Sequence, residues 1–313
     1  MKFTKAIISC ASIALATTSP ATRAEVLAAG QDWREIPFEV VDLKPMIAAR
    51  VGDLDGRMMF DTGTPEAVFL NRDAAPVPEG VVVGNGFAAS GQAIEAQLHD
   101  ALPVQIGGVD FDPGPKLLSG NFGFVEALFG ADYLGFIGTP FVSDGAFALD
   151  YGRGVLTLLR TDDQGTLAVP PPVAGEVLAQ LTFALIPGEQ PTTGAFVGGL
   201  PLVLDFDTGD SGTIYLRPET RARLEAEGLL VATGKDATGE VSTLKNVTFG
   251  GATFDGLAVR LVEAGGPEDK RPWPGSDALR LGADFLSGNP SLWNFPAGTI
   301  TILRPDSGFL APR

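Results

Sequence analysis

Two short acidic motifs of nearly the same composition stand out, and each follows a mostly apolar run. Asp61–Thr64 reads Asp-Thr-Gly-Thr and follows Met58–Phe60, and Asp207–Asp210 reads Asp-Thr-Gly-Asp and follows Leu202–Phe206. An aspartate at the point where a strand becomes a turn can exchange protons with a bound molecule. Glycine lets such a turn approach a neighbour closely, and threonine can fix it by hydrogen bonds. One copy alone predicts only an ordinary turn, because Asp and Gly are common turn residues.

The segments around these motifs occur twice in the same order, which indicates an internal duplication. The matching pairs are Ala89–Gln92 with Ala237–Glu240, Val104–Gly108 with Val247–Gly251, Ile137–Val142 with Leu281–Leu286, and Gly154–Leu158 with Gly298–Ile302. Two copies related by a two-fold axis bring equivalent turns face to face. Two aspartates pressed together cannot both ionise cheaply, so one keeps a proton while the other can take one from water. The duplication therefore predicts a catalytic pair, Asp61 and Asp207.

The remaining pattern is typical of a β protein. Short segments alternate apolar and polar positions and end at Gly, Pro or Asp, as half-buried antiparallel strands do. The sequence contains 40 glycines and 24 prolines, which suits a chain with many turns. We expect strands at Ala48–Val51, Leu102–Ile106, Val155–Leu159 and Thr299–Leu303, and helices at Phe122–Phe129 and Pro218–Glu227.

The predicted organisation is a leader followed by two lobes and a linker. Residues 1–24 have the pattern of a secretory signal peptide, because Lys2 and Lys5 precede the apolar stretch Ala6–Thr17 and the small-residue cleavage site Thr22–Ala24. Residues 25–161 and 176–313 are the predicted lobes, and the proline-containing stretch 162–175 is the predicted linker. We therefore expect an exported protein, either periplasmic or secreted.

Composition limits the partners and the bonds available to the chain. The formal net charge of -16 disfavours nucleic acid and anionic membranes as partners, and no segment after the leader predicts a membrane span. We expect a monomer. The only cysteine, Cys10, lies in the predicted leader, so the mature core must depend on packing alone. With a single histidine, His99, expected at the surface or at a strand end, neither a metal site nor a cofactor is predicted.

Together these features resemble the pepsin-like and retroviral-type (retropepsin) aspartic proteases. The resemblance rests on both Asp-Thr-Gly motifs and on a hydrophobic-Gly element in each copy, formed by Ile137 and Gly138 and by Leu281 and Gly282. It spans nearly all of the mature chain. It implies a mostly β, bilobal acid-protease fold with two duplicated antiparallel barrel-like lobes and few short helices. The compact copies are similar to retropepsin subunits, joined in one chain as in pepsin.

The resemblance also implies roles for individual residues. Asp61 and Asp207 would activate the attacking water and protonate the leaving amine of a peptide bond. Seven residues would support this pair: Thr62, Gly63, Thr64, Thr208, Gly209, Asp210 and Ser211. Among them, the two threonines that follow the aspartates would hydrogen-bond across the lobes, and the glycines would admit the substrate backbone. The flap candidates, which would close over an extended peptide, are Phe87, Ser90, Gly91, Thr238 and Gly239.

Three features depart from the family pattern. Neither predicted flap contains a tyrosine, and Arg280 stands where a second apolar residue would precede Leu281. Asp210 stands where Ser, Thr or Ala is usual. Asp210 either ionises close to the aspartate pair and raises its pKa, or it points to solvent while Ser211 takes the expected role.

Three functions are compatible with these patterns. The paired Asp-Thr-Gly motifs favour an aspartic endopeptidase that acts on an extended peptide or protein. The missing flap tyrosine and Asp210 favour a peptide- or protein-binding module on the same scaffold, with weak activity or none. A structural envelope protein that assembles through its sheet edges is the third interpretation.

Overall fold

The structure is a computed structural model that describes residues 26–88, 91–183, 191–236, 239–263, 265–266, 269 and 276–311. The fold is mostly β, with one sheet of fifteen strands and one of nine. The predicted leader, residues 1–24, lies outside the described residues. In the part of the chain that the structure describes, no helix is long and apolar enough to cross a membrane.

The first copy contains the strands β1 to β12. They are β1 (Trp33–Val41), β2 (Lys44–Val51), β3 (Leu54–Asp61), β4 (Val68–Asn71), β5 (Val81–Phe87), β6 (Ala93–Asp100), β7 (Val104–Ile106), β8 (Val109–Phe111), β9 (Lys116–Gly120), β10 (Tyr133–Gly138), β11 (Ala146–Asp150) and β12 (Val155–Leu159). One short helix, α1 (Glu126–Phe129), lies between β9 and β10.

The second copy contains the strands β13 to β24. They are β13 (Val177–Thr182), β14 (Thr192–Val197), β15 (Leu200–Phe206), β16 (Thr213–Tyr215), β17 (Leu230–Asp236), β18 (Gly239–Leu244), β19 (Val247–Phe249), β20 (Ala252–Phe254), β21 (Leu257–Leu261), β22 (Ala278–Leu281), β23 (Ser291–Asn294) and β24 (Thr299–Leu303). Its described helices are α2 (Pro218–Ala226) and α3 (Ala283–Leu286).

Both copies use the same strand-pairing scheme. The strand that leads to the acidic turn, β3 or β15, lies parallel to the strand of the hydrophobic-Gly element, β10 or β22. That strand pairs antiparallel with β4 or β16, which in turn lies parallel to β9 or β21. The hairpins β5–β6 and β17–β18 occupy equivalent places. The predicted duplicated, bilobal β fold is therefore confirmed, with parallel pairs that local alternation does not predict.

One sheet connects the two copies. β11 pairs antiparallel with β23, so that β13, β24 and β23 continue into β11, β12 and β1. Across this junction Phe147 stacks on Trp293, with ring centroids 5.3 Å apart. Phe60 packs edge-on against Phe147, and Phe206 packs edge-on against Trp293. Phe60 and Phe206 immediately precede the two aspartates. This aromatic cluster therefore packs the start of both acidic turns against the connecting sheet.

Most predicted elements occur close to their expected bounds. β12 and β24 have the predicted ends, β2 extends the segment predicted at Ala48–Val51, and β7 is shorter than predicted. α2 begins at Pro218, as predicted, since proline suits the first helical position. The helix predicted at Phe122–Phe129 is instead divided into a 3-10 turn, Gly123–Val125, and α1. The predicted limits of lobes and linker stay predictions; a 3-10 turn, Ala174–Glu176, leads into β13.

Candidate active site

The two acidic turns are buried and equivalently placed. Asp61 is the last residue of β3 and Asp207 directly follows β15, and both are fully buried. Gly138 lies beside Asp61 in the register of β10 with β3. A Cβ added at Gly138 would overlap the carbonyl oxygens of Thr64 and Glu66. Each hydrophobic-Gly element therefore lets the loop after its aspartate pack directly on the neighbouring strand, and Gly282 is crowded in the same way by backbone atoms of the other acidic loop.

The two carboxyl groups face one another across the boundary between the lobes. A Cβ added at Gly63 would lie 2.6 Å from Asp207 Oδ2, and one added at Gly209 would overlap Asp61 Oδ1. Each glycine thus leaves room for the carboxyl group of the opposite lobe. The aspartates are also hydrogen-bonded to each other. Two turns that are far apart in the sequence therefore form one buried pair of carboxyl groups.

The threonines that follow the aspartates exchange hydrogen bonds across the lobe boundary. The backbone N–H of Thr62 donates to Thr208 Oγ1 over 3.0 Å, and that of Thr208 donates to Thr62 Oγ1 over 3.1 Å. Each hydroxyl then donates to a carbonyl of the other lobe, Thr208 to Phe60 over 2.7 Å and Thr62 to Phe206 over 3.3 Å. These four bonds hold the acidic turns at a fixed separation.

Asp61 has neutral hydrogen-bond donors. Its Oδ1 accepts from the backbone N–H of Gly63 and its Oδ2 accepts from Thr64 Oγ1, both over 2.8 Å. Burial raises the pKa of Asp61 well above its ordinary value, and the charge of Asp207 and the hydrogen bond to it add to this. The donors Thr64 and Gly63 oppose the rise without cancelling it. Asp61 is therefore suited to carry a proton when its partner is ionised.

Asp207 has a cation beside it. Its Oδ1 accepts from the backbone N–H of Gly209 over 2.8 Å, and its Oδ2 lies 3.1 Å from Arg280 Nη1. The Arg280 side chain is only 10% exposed. Burial acts to lower the pKa of Arg280, but the charges of Asp205, Asp207 and Asp210 outweigh it and raise that pKa further. The sequence shows Arg280 only as a departure from an apolar pattern, without indicating what it binds.

Asp210 does not point to solvent, so that interpretation of the sequence is wrong. The side chain is fully buried, and its Oδ1 accepts hydrogen bonds from the Gly212 backbone over 2.8 Å and from Thr213 Oγ1 over 2.7 Å. Its Oδ2 lies 4.0 Å from Arg280 Nη1. The Asp210 carboxylate thus hydrogen-bonds within its own loop and lies near Arg280, together with Asp205 and Asp207. The Ser211 hydroxyl lies 3.5 Å from the ammonium group of Lys44.

Lys44 is a second cation that the sequence does not predict at this site. It starts β2 in the first copy, is almost fully buried and reaches Ser211 in the second copy. Burial lowers the pKa of Lys44, while attraction to Asp210, Asp207 and Asp61 opposes this effect. Its position next to the acidic turns depends on how the copies meet, which no local motif encodes.

The flap candidates lie on two equivalent hairpins. Phe87 ends β5 opposite Ala93 and is 40% exposed, and Gly91 has a positive φ of 78° in the connecting turn. Gly239 begins β18 opposite Asp236 in the other hairpin. Ser90 and Thr238 lie outside the described residues, so their contribution stays a prediction.

His99 lies near the end of β6, which is one of the two positions expected for it, and it is not at the surface. The ring is buried, with Nδ1 2.6 Å from the carbonyl oxygen of Pro78 and Nε2 2.6 Å from Ser119 Oγ. A carbonyl can only accept, so Nδ1 carries the proton in this contact. His99 therefore links two strands and a loop of the first lobe. Among the described residues, no group of three or more His, Cys, Asp and Glu side chains is arranged to hold a metal ion.

The mostly β, bilobal fold resembles that of a bilobal aspartic proteinase. Among solved structures, the chain is similar to the crystal structure of an aspartic proteinase from Irpex lacteus, with a TM-score of 0.53 and 14% sequence identity. That similarity covers 89% of this chain and 98% of the other. No protein-family model matches the chain, and no curated protein matches its sequence. At this identity the similarity shows the fold alone.

Proposed function

We propose that this protein is an aspartic endopeptidase in which Asp61 and Asp207 activate one water molecule for attack on a peptide bond. The observation that carries the proposal is the buried carboxyl pair, in which each carboxyl group lies against the glycine of the opposite acidic turn. Burial, followed by the charge of Asp207, raises the pKa of Asp61 well above its ordinary value. A pair with one proton can take a proton from water and give another to the substrate in the same step. Asp61 and Asp207 then act as acid and base without a metal or cofactor.

The substrate class is inferred from the hairpins that carry the flap candidates. The hairpins β5–β6 and β17–β18 offer strand-like backbone groups, and an extended peptide binds such edges by main-chain hydrogen bonds. We therefore propose an extended peptide or protein segment as substrate. Because the sequence predicts an export leader, we also propose that the activity is exerted outside the cytoplasm, in the periplasm or the medium.

A binding module without turnover is the second candidate. Arg280 and Lys44 place positive charge beside the carboxyl pair, which would keep both aspartates ionised if it dominated. A pair with no proton lacks the acid that peptide hydrolysis requires. Such a protein would hold a peptide at the lobe boundary and release it intact.

The test compares the wild type with Asp61→Asn and Asp207→Asn on a peptide library, from acid to neutral pH. We expect kcat/KM of either variant to fall by at least about a hundredfold, because the general acid or base is lost. Asp150→Asn is a matched control. Asp150 Oδ1 accepts from the Arg153 backbone over 3.1 Å, and Asn294 Oδ1 accepts from the Ala297 backbone over 3.1 Å at the equivalent turn.

Each result separates the candidates. Cleavage by the wild type and by Asp150→Asn, but not by the two site variants, supports the endopeptidase. Equal cleavage by all four proteins would show that the pair does not perform the hydrolysis. Peptide binding by the wild type with no cleavage at any pH would support the binding module.

A further inference from the structure

The carboxyl pair is symmetric in backbone but not in its surroundings. Arg280 on β22 lies opposite Asp205 on the parallel strand β15. Arg280 Nε and Nη2 donate to the two carboxylate oxygens of Asp205 over 2.8 and 2.6 Å. This two-point contact fixes the plane of the guanidinium group. The third nitrogen, Nη1, is then directed at Asp207 Oδ2, 3.1 Å away.

The first lobe has an apolar pair at the same two positions. Met59 precedes Asp61 by two residues, as Asp205 precedes Asp207, and Phe136 lies opposite Met59 in the register of β10 with β3. Both side chains are fully buried in a hydrophobic cluster. The equivalent site therefore gives Asp61 no cation from β10. Asp61 Oδ2 instead accepts a hydrogen bond from the neutral hydroxyl of Thr64.

The other ionisable groups at the site do not restore the symmetry. Among the described residues, the ionisable groups on the surrounding strands and turns include Lys44, Tyr151, Asp205, Asp210 and Arg280. Lys44 is attracted first to Asp210 and then to Asp207 and Asp61, so it acts on both members of the pair. Tyr151 is buried, and burial followed by the charges of Asp207 and Asp61 raises its pKa, so it stays neutral. Arg280 contacts Asp205 through Nε and Nη2, and Asp210 Oδ2 lies 4.0 Å from Nη1, so both carboxylates offset part of its charge. Within the carboxyl pair, the contact of Nη1 is with Asp207 Oδ2.

We propose that Arg280 is a positioning residue that decides which aspartate carries the proton: Asp207 stays anionic and Asp61 is the acid. This assignment rests on the proposed endopeptidase function. When water attacks the scissile carbonyl carbon, one water proton passes to Asp207 and the proton of Asp61 passes to the carbonyl oxygen. When the C–N bond then breaks, Asp207 gives its proton to the leaving nitrogen, and Asp61 recovers one from the hydroxyl of the intermediate. Both aspartates return to their starting states.

The test transplants the apolar pair of the first lobe into the second by the double substitution Asp205→Met with Arg280→Phe. Removing both partners together avoids leaving Asp205 buried without its cation. We expect the acid limb of the kcat/KM profile to move to higher pH by roughly 1–3 pH units, because a cation in contact lowers a carboxyl pKa by that amount. Arg280→Lys keeps the charge and should retain the acid limb near its wild-type position. A uniform fall in kcat/KM at every pH would show that Arg280 has only a structural role.

A second measurement does not depend on turnover. Carbon-13 NMR of labelled aspartate carboxyl groups, assigned with Asp61→Asn and Asp207→Asn, follows the protonation of each site directly. We expect Asp207 to titrate below Asp61 in the wild type, and to move upward in the double variant. If Asp61 titrates at a lower pH than Asp207 in the wild type, the assignment is wrong even if the double variant cannot be folded. The expected order in a protein that cleaves no peptide would uphold the assignment and reject the endopeptidase.

Discussion

At the scale of single residues, the site is defined by where the charge of each aspartate is stabilised. Asp61 is buried against a second carboxyl group and has only neutral donors, Gly63 and Thr64, on its own turn. Burial of a carboxylate without a cation costs free energy, so the protonated form is favoured. Because this cost exists only in the folded state, it must appear in the stability of the protein as well as in its chemistry.

Replacement of Asp61 by Asn should change how stability depends on pH. The pKa of Asp61 is raised in the folded protein from an ordinary value of 3.8, so the native state binds more protons than the unfolded state above that pH. The free energy of unfolding should then decrease as pH rises from 3.8 to the folded pKa, by about 1.4 kcal/mol for each pH unit that separates the two values. Asp61→Asn cannot titrate and should lose this decrease. Urea unfolding over a pH series measures both curves, and parallel curves would contradict the prediction.

The sequence predicts which residues form the two acidic turns, but it does not predict their charged neighbours. Both aspartates, and the threonines and glycines after them, are found from one motif that occurs twice. The motif does not reveal Lys44, because this residue lies near the acidic turns only in the folded protein, where the two copies are in contact. Arg280 is visible as an exception to a pattern, but its partner Asp205 follows only from the parallel register of two strands.

At the scale of elements, the conformation of the acidic turns depends on the steric space at their glycines as well as on hydrogen bonds. Gly209 lies against the carboxyl group of Asp61. That carboxyl group cannot move aside freely, because Gly63 and Thr64 hold both of its oxygens. A larger residue in the turn must therefore displace either the carboxyl group or the turn itself.

Gly209→Ala should disrupt the carboxyl pair while the fold persists. The added methyl group would overlap Asp61 Oδ1, so we expect a loss of about 1–3 kcal/mol in the free energy of unfolding and a large loss of kcat/KM. Gly194→Ala is the matched control, since a Cβ at this exposed position of β14 meets no atom within 4 Å. It should leave stability unchanged or raise it by up to about 1 kcal/mol. Equal effects of the two substitutions, measured by urea unfolding, would count against the steric argument.

Local patterns predict individual strands but do not predict how all of them pair. β12 and β24 match their predicted limits, with a glycine directly before each strand and an arginine directly after it. The parallel pairs β3–β10 and β15–β22 join segments far apart in the chain, so no local pattern specifies them. The helix predicted at Phe122–Phe129 is divided because its first residues form a 3-10 turn.

At the scale of the whole molecule, the two lobes share one sheet and therefore part of one core. β11 of the first copy and β23 of the second are neighbours, and Phe147 and Trp293 stack across them. Trp293 is fully buried, and its Nε1 donates to Ser291 Oγ over 2.9 Å. The similarity to a two-lobed proteinase along 89% of the chain agrees with this arrangement.

Trp293→Ala should weaken both lobes together. Removal of a buried tryptophan costs about 3–5 kcal/mol, because apolar contact is lost and a cavity remains. Since the ring touches aromatic residues of both lobes, we expect one cooperative unfolding transition at lower denaturant concentration. Phe196→Ala, at a side chain that is 51% exposed, should change stability by less than about 0.5 kcal/mol. Calorimetry showing two separate transitions, with only one of them shifted, would contradict the shared core.

The connecting sheet also sets a condition on biosynthesis. A ribosome completes β11 long before it reaches β23, the strand that covers its edge. Until then the nascent first lobe presents an unpaired edge with the apolar side chains Phe147 and Leu149, and such edges readily pair with other chains. Late-arriving strands thus protect the early ones, and translation that stops before β23 should yield a product prone to aggregation.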